Sequence, residues 1–316
     1  MIKEKKIFTL SFLFMVMWVL PVFCGGSSER AKENVKIGVS VISVEAFQYY
    51  IKLGIDNYDK ENTNTLFDIR IADNDMETQI KDVNDFLTMG YQAILIRAVD
   101  SEGTAPISEA CKKAGVPLIV VNSSIGSSYD TFVASEEKAM GKAQAAYLAE
   151  LAKGQGNVAI FVGDPNAEGA RMRTEGFHEV LDSYPDLRLI VEESAFWDRK
   201  QAYDISVNWI EAGLPIDIIM ANNDEMVIGA ISAYKEAGKD GGLLFGGVDA
   251  TEEALRLLKE GSLQVTIFQN GISQGYIAAK TAYEYTQGKK LASYIDVPYE
   301  VVTPDRADEI LQQLTK

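Results

Sequence analysis

From residue 35 onward the chain alternates short, nearly continuous apolar runs with longer segments whose apolar residues recur at helical spacing. The runs are VKIGVSV (35 to 41), LFDIRIA (66 to 72), QAILIRA (92 to 98), PLIVV (117 to 121), NVAIFVG (157 to 163), LRLIVEE (187 to 193), IDIIMA (216 to 221), LLFGGV (243 to 248) and LQVTIF (263 to 268). Runs this apolar suit strands covered on both faces, since a strand with one wet face would alternate polar and apolar positions. They recur about every 25 to 30 residues, the length of a strand plus a crossover helix. The intervening segments carry helix stops: Gly90 closes DVNDFLTMG, Gly115 closes SEACKKAG ahead of Pro117, and Gly238 closes AISAYKEAG. A last strand is expected over 297 to 302, followed by a terminal helix.

This rhythm predicts an α/β protein with doubly wound parallel sheets. Beyond the first 23 residues the chain is longer than one core usually serves, so two lobes are expected. The expected division is residues 35–135 plus 270–300 in the first lobe and 136–269 plus 301–316 in the second. The chain would then pass between lobes near residues 135, 269 and 300, a hinge of three segments.

The start of the chain reads differently. Lys3, Lys5 and Lys6 precede an apolar run from Ile7 to Leu20, too short to cross a bilayer as a helix, and Cys24 follows. Residues 1–23 are expected to be a secretory signal peptide. Cys24 stands where a lipid-acceptor cysteine would stand, and residues 24–34, GGSSERAKEN after the cysteine, suit a flexible tether. Phe23 occupies a position usually given to a small residue, so ordinary signal cleavage nearby stays open. Cys111, the other cysteine, has no internal disulfide partner and reads as a small buried hydrophobe.

With 30 basic against 46 acidic residues the chain has a net charge of −16. Such a surface argues against nucleic acid or an anionic membrane face as partner. No GxGxxG follows the first strand, and no GxxxxGK[ST] occurs anywhere. The sole histidine, His178, lies inside the helical pattern GFHEVL, which leaves a Ser–His–Asp hydrolase without a base. DNDME (73 to 77) begins like a calcium loop but lacks its sixth-position Gly and twelfth-position Glu. No enzyme, cofactor or metal is expected.

In open parallel sheets, ligands sit outside the carboxyl ends of the strands, where loops and helix N-termini converge. Just past the expected strands stand Glu45 and Phe47, Asn122 and Ser123, the loop DPNAEGAR ending in Arg171, Trp197, Asn223 and Asp224, Asp249, and Gln269 with Asn270. Any one of these amides or carboxylates could be an ordinary helix cap. Together they combine aromatic faces with amides, carboxylates and a guanidinium, the mixture a monosaccharide requires: its C–H face packs on rings while its hydroxyls need multi-point polar partners.

AFWDRKQA around Trp197, ANNDEMVIGA around Asn223 and GGVDATEEAL around Asp249 carry a family resemblance, supported by FLTMGYQAILI, GVPLIVVN and ARMRTEGF. Over about residues 35 to 302 the sequence resembles the type 1 periplasmic sugar-binding proteins, particularly the ribose and galactose/glucose binding proteins. The resemblance implies Phe47 and Trp197 as stacking aromatics, with Glu45 and Asn122 as sugar ligands and Arg171, Asn223, Asp249 and Gln269 as a polar clamp. It further implies capture of a monosaccharide, a hexose such as galactose or glucose favoured, by a monomer that delivers it to an ABC permease. A sensory role toward a chemoreceptor, and a polyol or furanose ligand, stay open. Several positions depart from the galactose/glucose pattern. Glu45 is a methylene longer than the aspartate expected, Pro165 and Ala167 replace a histidine and an aspartate, Ser123 replaces a basic residue, and the calcium loop has no counterpart in LAKGQGNVA.

Overall fold

The structure, a computed structural model, describes residues 34–44 and 47–314. The chain runs through β1 (Val35–Val41), α1 (Phe47–Glu61), β2 (Thr65–Ile71), α2 (Met76–Thr88), β3 (Ala93–Ile96), α3 (Ala105–Ala114), β4 (Leu118–Val121) and β5 (Thr131–Ala134). It continues through α4 (Glu137–Leu151), β6 (Gln155–Val162), α5 (Glu168–Leu181), β7 (Asp186–Ser194), α6 (Arg199–Glu211), β8 (Ile218–Ala221), α7 (Asp224–Glu236), β9 (Leu244–Val248), α8 (Glu252–Glu260) and β10 (Val265–Phe268). It closes with α9 (Gly271–Thr286), β11 (Tyr294–Asp296), β12 (Glu300–Val302) and α10 (Ala307–Leu314).

Two six-stranded sheets result, ordered β11-β5-β4-β3-β1-β2 and β12-β10-β9-β8-β6-β7. All pairings are parallel except β10 with β12. Each sheet is buried on both faces, and alternate residues of its central strands feed opposite cores. In β3, Ala93 and Leu95 join Ile37, Val39 and Ile51 on one face, whereas Ile94 and Ile96 join Phe86 and Ile107 on the other. In β6, Phe161 packs with Trp209 and Met226, while Ile160 packs with Met140 and Phe177.

The apolar-run reading missed two strands and misplaced a boundary. β5 is only four residues, and β11, YID, lies at the sheet edge with its first and last residues exposed, so neither shows as a long apolar run. The strand expected over 297 to 302 is broken: β11 ends at Asp296 in the first sheet and β12 begins at Glu300 in the second. Pro298, which has no N–H to give a ladder, falls in the gap. Glu300 pairs with Phe268 and belongs to the second lobe, not the first. The sheet-to-sheet passages thus lie at residues 135–136, 269–270 and 297–299.

Close helix crossings hold each lobe's outer layer. A Cβ on Gly54 would stand 2.0 Å from the Ile272 carbonyl oxygen and one on Gly275 1.9 Å from that of Ile51, so α1 and α9 touch backbone to backbone. Gly141 and Gly176 do the same for α4 and α5: a Cβ on Gly141 would stand 2.2 Å from the Arg173 carbonyl oxygen. That second crossing fixes the rotation of α5, on which the cleft chemistry depends.

Candidate functional site

The carboxyl ends of both sets of strands open onto one cleft of about 880 Å³. Phe47, Asn122, Trp197, Asn223, Asp249 and Gln269 all line it. Glu45 lies outside the described residues, as do Cys24 and the rest of residues 1–33.

Arg171 does not reach the cleft. Its Nη1 donates to the carbonyls of Pro165 and Asn166 at 3.3 and 2.6 Å, and the side chain lies exposed on its own loop. The lining arginine is Arg173, 5% exposed. Two residues along a helix turn the side chain by about 200°, so the two arginines point to opposite faces of α5. The buried stripe Ala170, Arg173, Thr174, Phe177, Leu181 contains Arg173 at the spacing of a core-facing row. That periodicity was the signal available for preferring it to Arg171.

Arg173 is firmly held. Its Nε donates to Glu137 Oε2 at 2.5 Å and its Nη1 to the Asn222 carbonyl at 2.7 Å. Burial alone would loosen its proton, but the charges of Glu137 and Asp249 outweigh burial and raise its pKa. The guanidinium also stands 5.7 Å above the Trp197 ring. That indole lies against the end of β6, where a side chain at Gly163 would come within 2.3 Å of it, so Gly163 makes the shelf for the ring. Phe196 and Trp197 both adopt left-handed backbone, with φ of 51° and 67°, uncommon for bulky residues. Strain of this sort collects where surrounding contacts over-determine a functional geometry. Asn223 supplies one such contact: its Nδ2 donates to the Trp197 carbonyl at 3.2 Å while its Oδ1 caps α7 through the Met226 N–H. Asn223 therefore caps α7 and lines the cleft at the same time.

Asp249, at φ 124° and 5% exposed, accepts from Gln269 Nε2. Burial pushes its pKa up to about 7 against the pull of Arg173 and Gln269. Behind it Asp224 is fully buried, accepting from the Thr251 N–H at 2.8 Å and the Thr266 hydroxyl at 2.7 Å. Burial and the neighbouring Asp249 carboxylate raise its pKa as well. Asp224 does not line the cleft; it secures the loop that carries Asp249.

On the first lobe's side the sequence reading overlooked Arg97, the one charge in QAILIRA, at the mouth of β3. Its contacts are long: Nη1 to the Ala98 carbonyl at 3.3 Å and Nη2 to Asn122 Oδ1 at 3.4 Å. Its Nε is buried and has no partner among the described residues. Burial lowers its pKa to about 10. Asn122 in turn gives Nδ2 to Gln269 Oε1 at 3.1 Å, so a chain of polar contacts runs from Arg97 through Asn122 and Gln269 to Asp249, across the hinge and both lobes.

A hydrolase-like spacing in the chain is used structurally. GISQG (271–275) has the G-x-S-x-G spacing but forms the first turn of α9, where the Ser273 N–H is capped by Asn270 and Gly275 serves the crossing with α1. His178 pairs with Glu192 at 2.8 Å and does not line the cleft. Cys111 is buried in α3, its thiol pushed up to about 12 by burial.

The sequence matches the family described as periplasmic binding protein domain over residues 37–290. A putative rhizopine-binding protein of Rhizobium meliloti is 34% identical over 277 residues, 84% of this chain and 89% of the relative. The ribose import binding protein RbsB of Bacillus subtilis is 31% identical over 302 residues, covering 94% and 97%. Among solved structures, an ABC transporter solute binding protein from Bacillus halodurans with bound myo-inositol superposes with a TM-score of 0.86 at 31% identity, covering 89% of this chain and 99% of the other.

Proposed function

Because the chain belongs to the periplasmic binding protein family and, within it, to the sugar- and polyol-binding proteins of ABC transporters, we propose that it captures a neutral cyclic polyol of monosaccharide size. An inositol-like cyclitol is favoured over a hexose such as galactose or glucose. One observation carries this reading: the Asn122–Gln269–Asp249 bridge, Arg97 and Arg173 line the same cleft as Phe47 and Trp197. A ring whose every carbon bears a hydroxyl can satisfy donors and acceptors on both lobes at once, while its C–H faces pack on the aromatics. Likeness to the myo-inositol-bound structure and to the rhizopine-binding relative supports the cyclitol. The positions of Pro165, Ala167 and Ser123 speak against a galactose/glucose pattern.

The protein acts outside the cytoplasm, as its family does. Delivery to an ABC permease by a monomer, with lobes hinging at the three passages as rigid bodies, completes the proposal. Acylation of Cys24 would keep it at the membrane; Cys24→Ala should then release the protein or leave an unprocessed precursor, read by detergent partition and intact mass. The decisive test is a thermal-shift screen of myo-inositol, xylitol, ribose, allose, glucose and galactose. A ligand at ~100 times its dissociation constant stabilises by ~2.7 kcal/mol. A shift with glucose or galactose and none with cyclitols would overturn the cyclitol reading, and no shift with any of the six would overturn capture of a simple polyol.

A further inference from the structure

We infer that Gln274, a residue outside the cleft, fixes which end of the Asn122 amide faces the ligand, and so makes the first lobe read a hydroxyl donor at that point. The inference deepens the polyol reading and rests on it for the identity of the ligand.

The two ends of a side-chain amide are alike in shape, so its partners decide its orientation. Here the partners leave one solution. Gln274 is fully buried on the first turns of α9, and one of its terminal atoms lies 2.7 Å from the backbone carbonyl oxygen of Gln269. A carbonyl can only accept, so that atom is Nε2; its other donor contacts are the Ser135 hydroxyl at 3.2 Å and, longer, Gln269 Oε1 at 3.5 Å. The remaining atom is Oε1, an acceptor, and it faces Asn122 at 3.1 Å. Asn122 must therefore turn Nδ2 toward it. The same nitrogen meets Gln269 Oε1 at 3.1 Å, which consumes its second hydrogen. With Oε1 so engaged, Gln269 can offer only Nε2 to Asp249, as observed.

Both hydrogens of the Asn122 amide thus point into the hinge, and its Oδ1 alone is left for the cleft, beside the loosely bonded Nη2 of Arg97 at 3.4 Å. The left-handed backbone of Asn122, φ 64°, holds the amide in place. A hydroxyl is the group this pair suits: it donates to Asn122 Oδ1 and accepts from Arg97. A methyl ether at the same carbon could accept from Arg97 but would leave Oδ1 with only the long contact from Arg97 at 3.4 Å, which costs affinity. Gln274 is a positioning residue, acting on the ligand only through Asn122.

The test is Gln274→Met, of similar shape without polar ends, compared with wild type and with Gln274→Glu, which keeps an acceptor toward Asn122. First, side-chain amide hydrogen exchange is followed by nuclear magnetic resonance in ligand-free protein, the Asn122 signal assigned by its loss in Asn122→Ser. Both Asn122 hydrogens should exchange slowly in wild type, and in Gln274→Met the exchange should rise by about 2- to 12-fold, one net hydrogen bond having gone. Second, calorimetry with myo-inositol and its mono-O-methyl ethers should show binding of myo-inositol weakened about 2- to 12-fold in Gln274→Met. Preference for the free hydroxyl over the ether should fall with it, and Gln274→Glu should restore part of that preference. Fast exchange of the Asn122 hydrogens in wild type overturns the proposal on its own, whether or not the variants fold. So does a Gln274→Met protein that melts lower yet keeps the Asn122 signature. If myo-inositol does not bind at all, the cyclitol reading falls, and the exchange data still decide the role of Gln274.

Discussion

Each side of the cleft presents an arginine, Arg173 buried and Arg97 half-buried, and the two differ in how finished they are. On the second lobe Arg173 has a carboxylate at 2.5 Å, a carbonyl at 2.7 Å and a tryptophan ring beneath it. On the first lobe the Arg97 guanidinium makes, among the described residues, only two contacts, at 3.3 and 3.4 Å, and its Nε has no partner there. A buried donor without an acceptor costs about 1 to 3 kcal/mol, a penalty that a ligand oxygen would relieve. The second lobe is thus a prebuilt platform, while the first holds its binding energy in reserve until a ligand completes it.

The sharpest way to break this contrast is to truncate each arginine. Arg173→Met should leave the half-buried Glu137 unpaired and cost the ligand-free protein up to about 3 kcal/mol, with binding lost, as read by urea denaturation and calorimetry. A ligand-free stability equal to wild type would show that Glu137 finds water and that the platform is not prebuilt. Arg97→Met should do the reverse. Binding should weaken by roughly 10- to 150-fold, the worth of a hydrogen bond to a charged group, while the ligand-free protein melts at or above the wild-type temperature. A large loss of stability there would mean that Arg97 is structural.

The next effect is in pH. With the Asp249 pKa raised to about 7, the folded protein holds a proton that the unfolded chain, with an ordinary carboxylate, has already released. Folded protein binds more protons than unfolded between about pH 4 and 7, so ligand-free stability should fall as pH rises through that window. Affinity for a hydroxyl donor should rise over the upper part of it, as the carboxylate ionises. Denaturation curves across that range should show the slope in wild type and a flatter profile in Asp249→Asn; equal slopes would place the titration elsewhere.

Smaller again, Trp197→Ala should weaken binding by roughly 2- to 12-fold through lost ring packing, with less change in discrimination between epimers than Asp249→Asn causes. Trp209, buried and stacked on Phe161 at 4.4 Å, should leave the ligand-induced change of emission to Trp197. The smallest effect belongs to Arg171→Met, expected within about twofold of wild type, as for other surface substitutions. A tenfold loss would put Arg171 back in the site and weaken the case for Arg173.

The amino-acid sequence by itself determined the lobes' composition, because strands covered on both faces must be apolar along their whole length and so can be seen one at a time. It also pointed to Phe47, Asn122, Trp197, Asn223, Asp249 and Gln269, since residues just past parallel strands converge wherever the sheets lie. It did not reveal β5 or β11, which are too short to stand out, nor the passage at Pro298, where one apolar stretch serves two sheets. The choice of Arg173 over Arg171 was within reach through the buried stripe of α5, but it was the crossing at Gly141 that turned that stripe toward the cleft. Only the tertiary structure could decide that Arg97 is under-bonded and Arg173 fully held, and that Gln274, 152 residues from Asn122, orients its amide. Hydrogen-bond saturation depends on which groups folding brings within about 3 Å, and no local pattern in a chain records that.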